Sequence, residues 1–259
     1  MNELLVEEVE EGIVQLTLNR PNKRNAINYD MWVSIAEAFE ACEHEKNVRA
    51  VILTGAGGCF SAGADISEFS ELSANPELRK AYDVAFDRVV KAMDEITKPV
   101  IAAIDGYCVG GGLGLAIACD FRFAASRSYF CIPAARLGIV YGVSDTRNLM
   151  NLVGLAQAKR ILFSAEYLDT KRAEQIGLVD EIVDDNLYNG VYEFTKQLAS
   201  NAPLSISASK QLLNRIVNRR AEDLADFENA LIAEAAESED YKEGVAAFSE
   251  KRSPKFKGQ

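Results

Sequence analysis

The residues of this chain that could do chemistry begin with glycines. From Lys98 to Asp120 it reads KPVIAAIDGYCVGGGLGLAIACD, with Gly110, Gly111, Gly112 and Gly114 dividing the apolar run Val100 to Ile104 from a second apolar run. Glycine lets a backbone approach a ligand closely, and the first N–H groups of a helix have no acceptor within it, so such a turn can hold an oxyanion. On this stretch alone, a tight strand-to-helix packing turn explains the same residues equally well. A dinucleotide fingerprint fits less well, because the spacing is unusual and no phosphate-cradling GxxxxGK occurs anywhere.

The side chains narrow the chemistry further. His44 is the single histidine and sits among Glu43, Glu45 and Lys46, which reads as a solvated helix end. A histidine-activated serine or cysteine is therefore disfavoured, and acid–base work falls to carboxylate, tyrosine, cysteine or water. Cys42, Cys59, Cys108, Cys119 and Cys131 form no CxxC and no His/Cys zinc spacing, so neither a metal site nor a disulfide framework is expected.

Periodicity supplies the elements that must position these groups. Leu4 to Val9 and Ile13 to Leu18 alternate around Glu10-Glu11-Gly12 as a strand pair, and Tyr29 to Glu45 has helical spacing. Ala50 to Leu53 reads as a buried strand followed by a glycine-bearing loop, Glu68 to Pro76 as a polar mobile segment, and Glu77 to Ile96 as an amphipathic helix. Phe121 to Ala125, Tyr129 to Ile132 and Leu178 to Val183 read as short strands. Residues 134–146 read as irregular, helices dominate from Arg147, and an acidic helical stretch, Ala221 to Glu239, precedes a basic tail. The predicted architecture is α/β, with a repeatedly wound N-terminal part and a helical C-terminal part.

At 259 residues and 48% apolar composition the chain can bury a substantial core, and its net charge of −11 disfavours nucleic acid and anionic membrane surfaces. No signal peptide and no apolar run of membrane-spanning length is visible, so a cytoplasmic location is expected. A polyanionic ligand would need a local basic cluster. Lys23 and Arg24, in the loop Asn19 to Asn25, are candidates.

Three ordered stretches, LNRPNKRNAIN at Leu18 to Asn28, ILTGAGGCFSAGADI at Ile52 to Ile66 and the glycine-bearing stretch above, resemble the crotonase (enoyl-CoA hydratase/isomerase) superfamily. The ending EGVAAFSEKRSPKF, Glu243 to Phe256, is similar too, so the likeness covers nearly the whole chain. The resemblance implies a crotonase-like ββα spiral core, residues 1–197, and a helical C-terminal trimerisation region, residues 198–259, in a homotrimer or dimer of trimers. It implies an acyl-coenzyme A substrate, with coenzyme A part of that substrate and no separate cofactor. The oxyanion donors map to the backbone N–H groups of Ala64 and Gly111. Coenzyme A would lie along Lys23, Arg24, Ala26, Ala62, Asp65 and Ile66, with Lys251 of a C-terminal segment adding a phosphate contact.

The chain departs from the pattern where the reaction is decided. The two glutamates of the family's hydratases map to Gly114 and Ala134, and the aspartate of related isomerases maps to Gly142. Asp145 lies three residues beyond that last position, in Ser144-Asp145-Thr146, where an acidic residue also suits a helix N-terminus. Tyr141 resembles a tyrosine of a decarboxylating member, Arg136 could face a second carboxylate, and Glu68, Cys108 and Cys131 stand near the site in sequence. Enolate formation by loss of carbon dioxide needs no base, so decarboxylation of a malonyl-type thioester ranks above hydration on mechanism. Hydration or isomerisation with a non-standard acid or base, Asp145 among the candidates, and non-catalytic acyl-CoA binding are the alternatives.

Overall fold

The chain is described from a computed structural model, which covers residues 2–184, 186–217, 237–250, 252 and 254–259. Lys251 and most of the acidic stretch from Ala221 lie outside the described residues. β1 (Leu4–Glu10) and β2 (Ile13–Leu18) form the expected antiparallel pair, turned at Gly12 with a positive φ of 75°. From β2 onward the sheet is parallel, through β3 (Ala50–Gly55), β4 (Val100–Ile104), β6 (Phe121–Ala124) and β9 (Glu181–Ile182). β3 and β4 are buried at every residue, as continuous apolar runs covered on both faces should be.

A second, smaller sheet gives the winding its ββα rhythm. β5 (Tyr107–Val109), β7 (Tyr129–Cys131) and β8 (Leu168–Asp169) pair in that order, and single bridges at Ser61 to Cys108 and Ile27 to Ala64 continue the layer. Each large-sheet strand thus hands the chain to the small layer and then to a helix, as in β4–β5–α4 and β6–β7–α5. The expected spiral is present. β5 and β8 were not read from the sequence, because two or three residues are too few to show alternation.

Among the described residues the α-helices are α1 (Tyr29–His44), α2 (Phe69–Ala74), α3 (Pro76–Glu95), α4 (Gly111–Ala118), α5 (Ala134–Leu137), α6 (Val143–Ser164), α7 (Thr170–Gln175), α8 (Leu187–Ala199), α9 (Pro203–Val217) and α10 (Glu239–Glu250). Two expectations need revision. The polar segment after Glu68 is helical, with Asn75 accepting from Glu77 N–H and Leu78 N–H to start α3 at Pro76. The segment 134–146 holds α5 and the first turn of α6, and α6 itself breaks at Gly154, where φ is 74°.

Packing divides the core by sheet face. Val51, Leu53, Ala102 and Ile104 point toward α1, α3 and α4, whereas Ala50, Ile52, Ile101 and Ala103 point toward Leu187 and Val191 of α8. Burying each such Val, Leu or Ile stabilises the fold by about 1.5–3 kcal/mol before entropy is counted. Lys98 ties the layers together. Its Nζ donates to the carbonyls of Cys42, Glu43 and Glu45 at the end of α1, and Asp120 accepts from Val100 N–H at 2.7 Å. A division between residues 197 and 198 is a proposal about autonomy, and the nearest break in secondary structure is the link from α8 to α9.

Candidate active site

The glycine turn is a close crossing of two backbones. Gly63 has a φ of 96°, and a Cβ placed on it would stand 2.8 Å from Val109 O and 3.2 Å from Gly111 N. A Cβ on Gly112 would come 2.6 Å from the Cβ of Ser61. Neither position admits a side chain without displacing backbone, which is why glycines recur here. The packing explanation and the site explanation are therefore both true of this turn.

The crossing is held by hydrogen bonds on either side of Ala64. Ile27 N–H donates to Gly63 O and Asp65 N–H to Ile27 O, both at 2.8 Å, while Ser61 exchanges bonds with Tyr107 O and Val109 N–H, both at 2.9 Å. Among the described residues, Ala64 N–H and Gly111 N–H donate to no backbone acceptor in the turns and caps. Gly111 is the first residue of α4, whose N–H has no partner within the helix. A Cβ on Gly111 would lie 3.5 Å from Ala64 N, so the two free donors sit side by side. They are arranged to receive an oxygen carrying negative charge.

The ring of Trp32, on α1, closes one side of this crossing. Its Cη2 and Cζ2 would stand 3.3 Å from a Cβ on Gly111, its Nε1 donates to Tyr82 Oη at 2.8 Å, and Phe86 packs edge-on at 5.1 Å between centroids. Sequence reasoning passed over all three. The available signal for two of them was the spacing Tyr82, Phe86, Val89, Met93 within the amphipathic helix read from Glu77 to Ile96, a pattern that core packing alone also produces.

Asp145 faces this region from α6. It is 9% exposed, and a Cβ on Gly114 would be 4.0 Å from its Oδ1, so its carboxylate looks across at the bare α4 glycine. Asp145 does lie in the first turn of α6, the helix N-terminus expected for it, although no side chain caps that helix at Gly142. Among the described residues no hydrogen bond or ion pair reaches its carboxylate; burial, and then the charge of Asp87, push its pKa up to about 6. Gly111, Gly114, Leu115 and Asp145 line one cavity of about 250 Å³, walled on the other side by Phe86, Val89 and Met93 of α3.

Tyr141 is close to the turn but not among the lining residues. Its hydroxyl oxygen would be 4.0 Å from a Cβ on Gly110, and it has no hydrogen-bond partner among the described residues. Burial and the neighbouring Asp145 hold its pKa well above the usual phenol value, so it stays protonated. Ala134 is buried where a carboxylate was missed, and Arg136 is exposed.

The proposed coenzyme A residues that are described lie in the loop before α1 and in the Ala62 to Ile66 stretch bonded to it. Lys23 and Arg24 are exposed and have no carboxylate partner among the described residues, and the Arg24 guanidinium lies 5.7 Å from the centroid of the Tyr107 ring. Arg24 and Asn25 have positive φ, 50° and 53°. Asn25 is fully buried and holds this shape by donating from Nδ2 to Ala56 O (2.9 Å) and Cys59 O (2.6 Å) and accepting from Arg20 N–H (2.9 Å). Ala62 N–H donates to Arg24 O, Ala26 O accepts from Arg20 Nη1, and Ile66 is 70% exposed.

Asp65 is a tie within the protein. It accepts from the Ser67 hydroxyl and N–H and from Arg20 Nη1, and these partners hold its pKa below the usual carboxylate range, while its own N–H and carbonyl bond to Ile27 O and Glu68 N–H. Glu68 accepts from Tyr29 N–H at 3.1 Å, with its pKa raised by burial. Cys108 is fully buried and Cys131 donates to Ala165 O, with burial pushing both thiols up, so both belong to the core. Among the described residues no cluster of His, Cys, Asp or Glu could hold a metal ion, and no helix is long and apolar enough to cross a membrane.

Comparison with known proteins gives a concordant result. A family profile described as enoyl-CoA hydratase/isomerase matches residues 8–259. Over 254 residues the chain is 37% identical to a short-chain-enoyl-CoA hydratase of Clostridium acetobutylicum, covering 97% of this chain and 96% of that one. It is 30% identical over 262 residues to a 1,2-epoxyphenylacetyl-CoA isomerase of Escherichia coli, covering 100% of both. The crystal structure of an enoyl-CoA hydratase/carnithine racemase from Magnetospirillum magneticum superposes with a TM-score of 0.93 at 36% identity, covering 100% of this chain and 97% of that one.

Proposed function

This chain belongs to the enoyl-CoA hydratase/isomerase family, with the crotonase fold, and from that premise we propose that it moves a proton at the carbon next to an acyl-CoA thioester, with Asp145 as the single acid–base group. The observation that carries this reading is the buried, unpartnered Asp145 carboxylate facing Gly114 in the cavity that contains Gly111. By the family resemblance, position 114 is where a hydratase's first glutamate would start. Here a carboxylate reaches the same space from α6.

The chemistry follows from the charges. The thioester oxygen accepts from Ala64 N–H and Gly111 N–H, which stabilise the enolate as it forms; one such donor is worth about 3–4 kcal/mol in a dry site. In isomerisation, ionised Asp145 takes a proton from the γ-carbon and returns it to the α-carbon. In hydration the same carboxylate takes a proton from water as its oxygen adds to the β-carbon, then delivers that proton to the α-carbon. A pKa of about 6 leaves Asp145 ionised at neutral pH and still a competent acid after it has been protonated.

Lys23 and Arg24, with the Ala26 backbone, would bind the coenzyme A portion, with Ala62, Asp65 and Ile66 lining the adenine side and Lys251 added from a neighbouring C-terminal segment. A homotrimer or dimer of trimers is the proposed assembly. It is supported by exposed apolar side chains on α9, Leu213, Ile216 and Val217, and is checked by light scattering.

The test is exchange in deuterium oxide. Incubated with crotonyl-CoA or butyryl-CoA, the protein should introduce deuterium next to the thioester carbonyl, read by mass spectrometry, and Asp145→Asn should remove that exchange. Exchange undiminished in Asp145→Asn would rule out the assignment. The second reading is decarboxylation, supported by the unpartnered Tyr141 hydroxyl beside Gly110 as a proton source. It predicts carbon dioxide release from a malonyl-type thioester that Asp145→Asn leaves intact and Tyr141→Phe slows.

A further inference from the structure

The cavity that holds Asp145 continues past it, and its far walls differ in kind. α3 contributes the apolar side chains Phe86, Val89 and Met93, while α6 and α9 contribute the amides of Asn148 and Asn214. Both asparagines are half-buried, and neither has a hydrogen-bond partner among the described residues. An alkyl group filling the cavity would strip water from these amides and replace it with nothing. A group with its own donor or acceptor would keep them bonded.

The charges exclude one class of such groups. Among the described lining residues the only cation is Lys210, which is 10% exposed at its side chain. Its Nζ is already 2.6 Å from Asp120 Oδ2 and 2.8 Å from Lys98 O. Asp120 is therefore neutralised and Lys210 is committed. A carboxylate entering this cavity would meet no available cation and would face Asp145, so it would be desolvated without compensation. At about 250 Å³ the space is also below the 300–1,000 Å³ usual for ligand pockets, which suits a short acyl group with the coenzyme outside.

We propose that the cavity selects a short, uncharged acyl group with an apolar body against α3 and a neutral hydrogen-bonding function, such as a hydroxyl or carbonyl, toward Asn148 and Asn214, and that it rejects acyl groups carrying a second carboxylate. This rests on the reading of the cavity as the acyl site. It fits hydration or isomerisation and stands against decarboxylation of a malonyl-type thioester, and it is tested with thioesters that undergo no net reaction.

The experiment is calorimetric titration of the intact protein with three thioesters of equal chain length: pentanoyl-CoA, ω-hydroxypentanoyl-CoA and glutaryl-CoA. The hydroxylated ligand should bind roughly three- to tenfold more tightly than the alkyl one. Glutaryl-CoA should bind roughly tenfold or more weakly than either. Asn148→Leu should remove the advantage of the hydroxyl, and Asn148→Arg should raise the affinity for glutaryl-CoA above the wild-type value.

Glutaryl-CoA binding as tightly as pentanoyl-CoA, or the hydroxyl bringing no gain, would overturn the proposal. Binding of none of the three would overturn it too, by removing the acyl site it rests on. Failure of deuterium exchange with the affinity order intact would instead sink the acid–base assignment and leave the selectivity standing. The wild-type ranking needs no variant to fold.

Discussion

The two walls of the site are built on opposite plans. The wall carrying Ala64 is tied at nearly every residue. Ile27, Ser61, Ala62 and Asp65 are hydrogen-bonded through their backbones, Arg20 reaches both Ala26 and Asp65, and Asn25 makes three side-chain bonds. Among the described residues, the wall carrying Tyr141 and Asp145 has neither polar side chain bonded, and Val140 beside them is 91% exposed. On the proposed mechanism, the difference separates two jobs. Stabilising an enolate needs donors that do not move, because preorganisation is what makes them effective. Handling the proton needs a carboxylate with no competing partner, and that is a group left unsatisfied at the expense of stability.

Five changes would break or sharpen this contrast. The largest effect is expected from Asp145→Asn, which should lower turnover by about 10²–10⁴-fold while raising the melting temperature at neutral pH. Enzyme assay paired with calorimetry reads both, and loss of turnover without stabilisation would mean that the carboxylate is tied in a way the contrast denies. Next comes Ala64→Pro, which removes one donor from the pinned wall and should reduce kcat by about 10²–10³-fold with coenzyme A binding retained. A loss of coenzyme A affinity as large as the loss of kcat would show that the donor and the coenzyme A residues are not separable.

Asn25→Ala tests the pinned wall by stability alone. It deletes three hydrogen bonds of a fully buried side chain and leaves a non-glycine residue at positive φ, so denaturant unfolding should show a loss of about 2–4 kcal/mol. Titration of Asp145 should affect stability by a comparable amount. Its folded pKa, about 6, lies above the ordinary 3.8, so between these values the folded state binds more protons than the unfolded one and stability falls as pH rises. The full penalty, about 3 kcal/mol, is in place above pH 6 and absent below about 4. Asp145→Asn should flatten that dependence, and the base-limited rate should rise with pH and level off above about 6. The smallest effect belongs to Tyr141→Phe, whose hydroxyl has no partner to lose. Stability should change by less than about 0.5 kcal/mol, and a larger loss would place a hidden bond on the open wall.

Sequence reasoning reached the pinned wall and misread part of the open one for a physical reason. The glycines around Gly63 and Gly111 announce a close backbone approach by residue type, and the ordered motifs place the two proposed donors, Ala64 and Gly111, at that approach. Asp145 carries no such signature, because an acidic residue in a first helical turn is favoured by the helix dipole whether or not it faces solvent. Only the packing of α4 against α6 buries it opposite Gly114. The start of α6 was obscured by Gly138 and Gly142, and α2 by its polar composition. The Asn148 and Asn214 pair brings together two helices far apart in the chain, which no local pattern encodes.

Trp32 gives the molecule one further property. It is the only tryptophan in the chain, it is 1% exposed, and its ring touches the place where Gly111 meets Ala64. All of the protein's indole emission therefore originates beside the two donors, from a ring whose Nε1 is fixed by Tyr82. A thioester carbonyl arriving there changes the electric field on that ring, so binding can be followed by fluorescence without any label. The chain carries its own optical reporter at the point where the enolate would form.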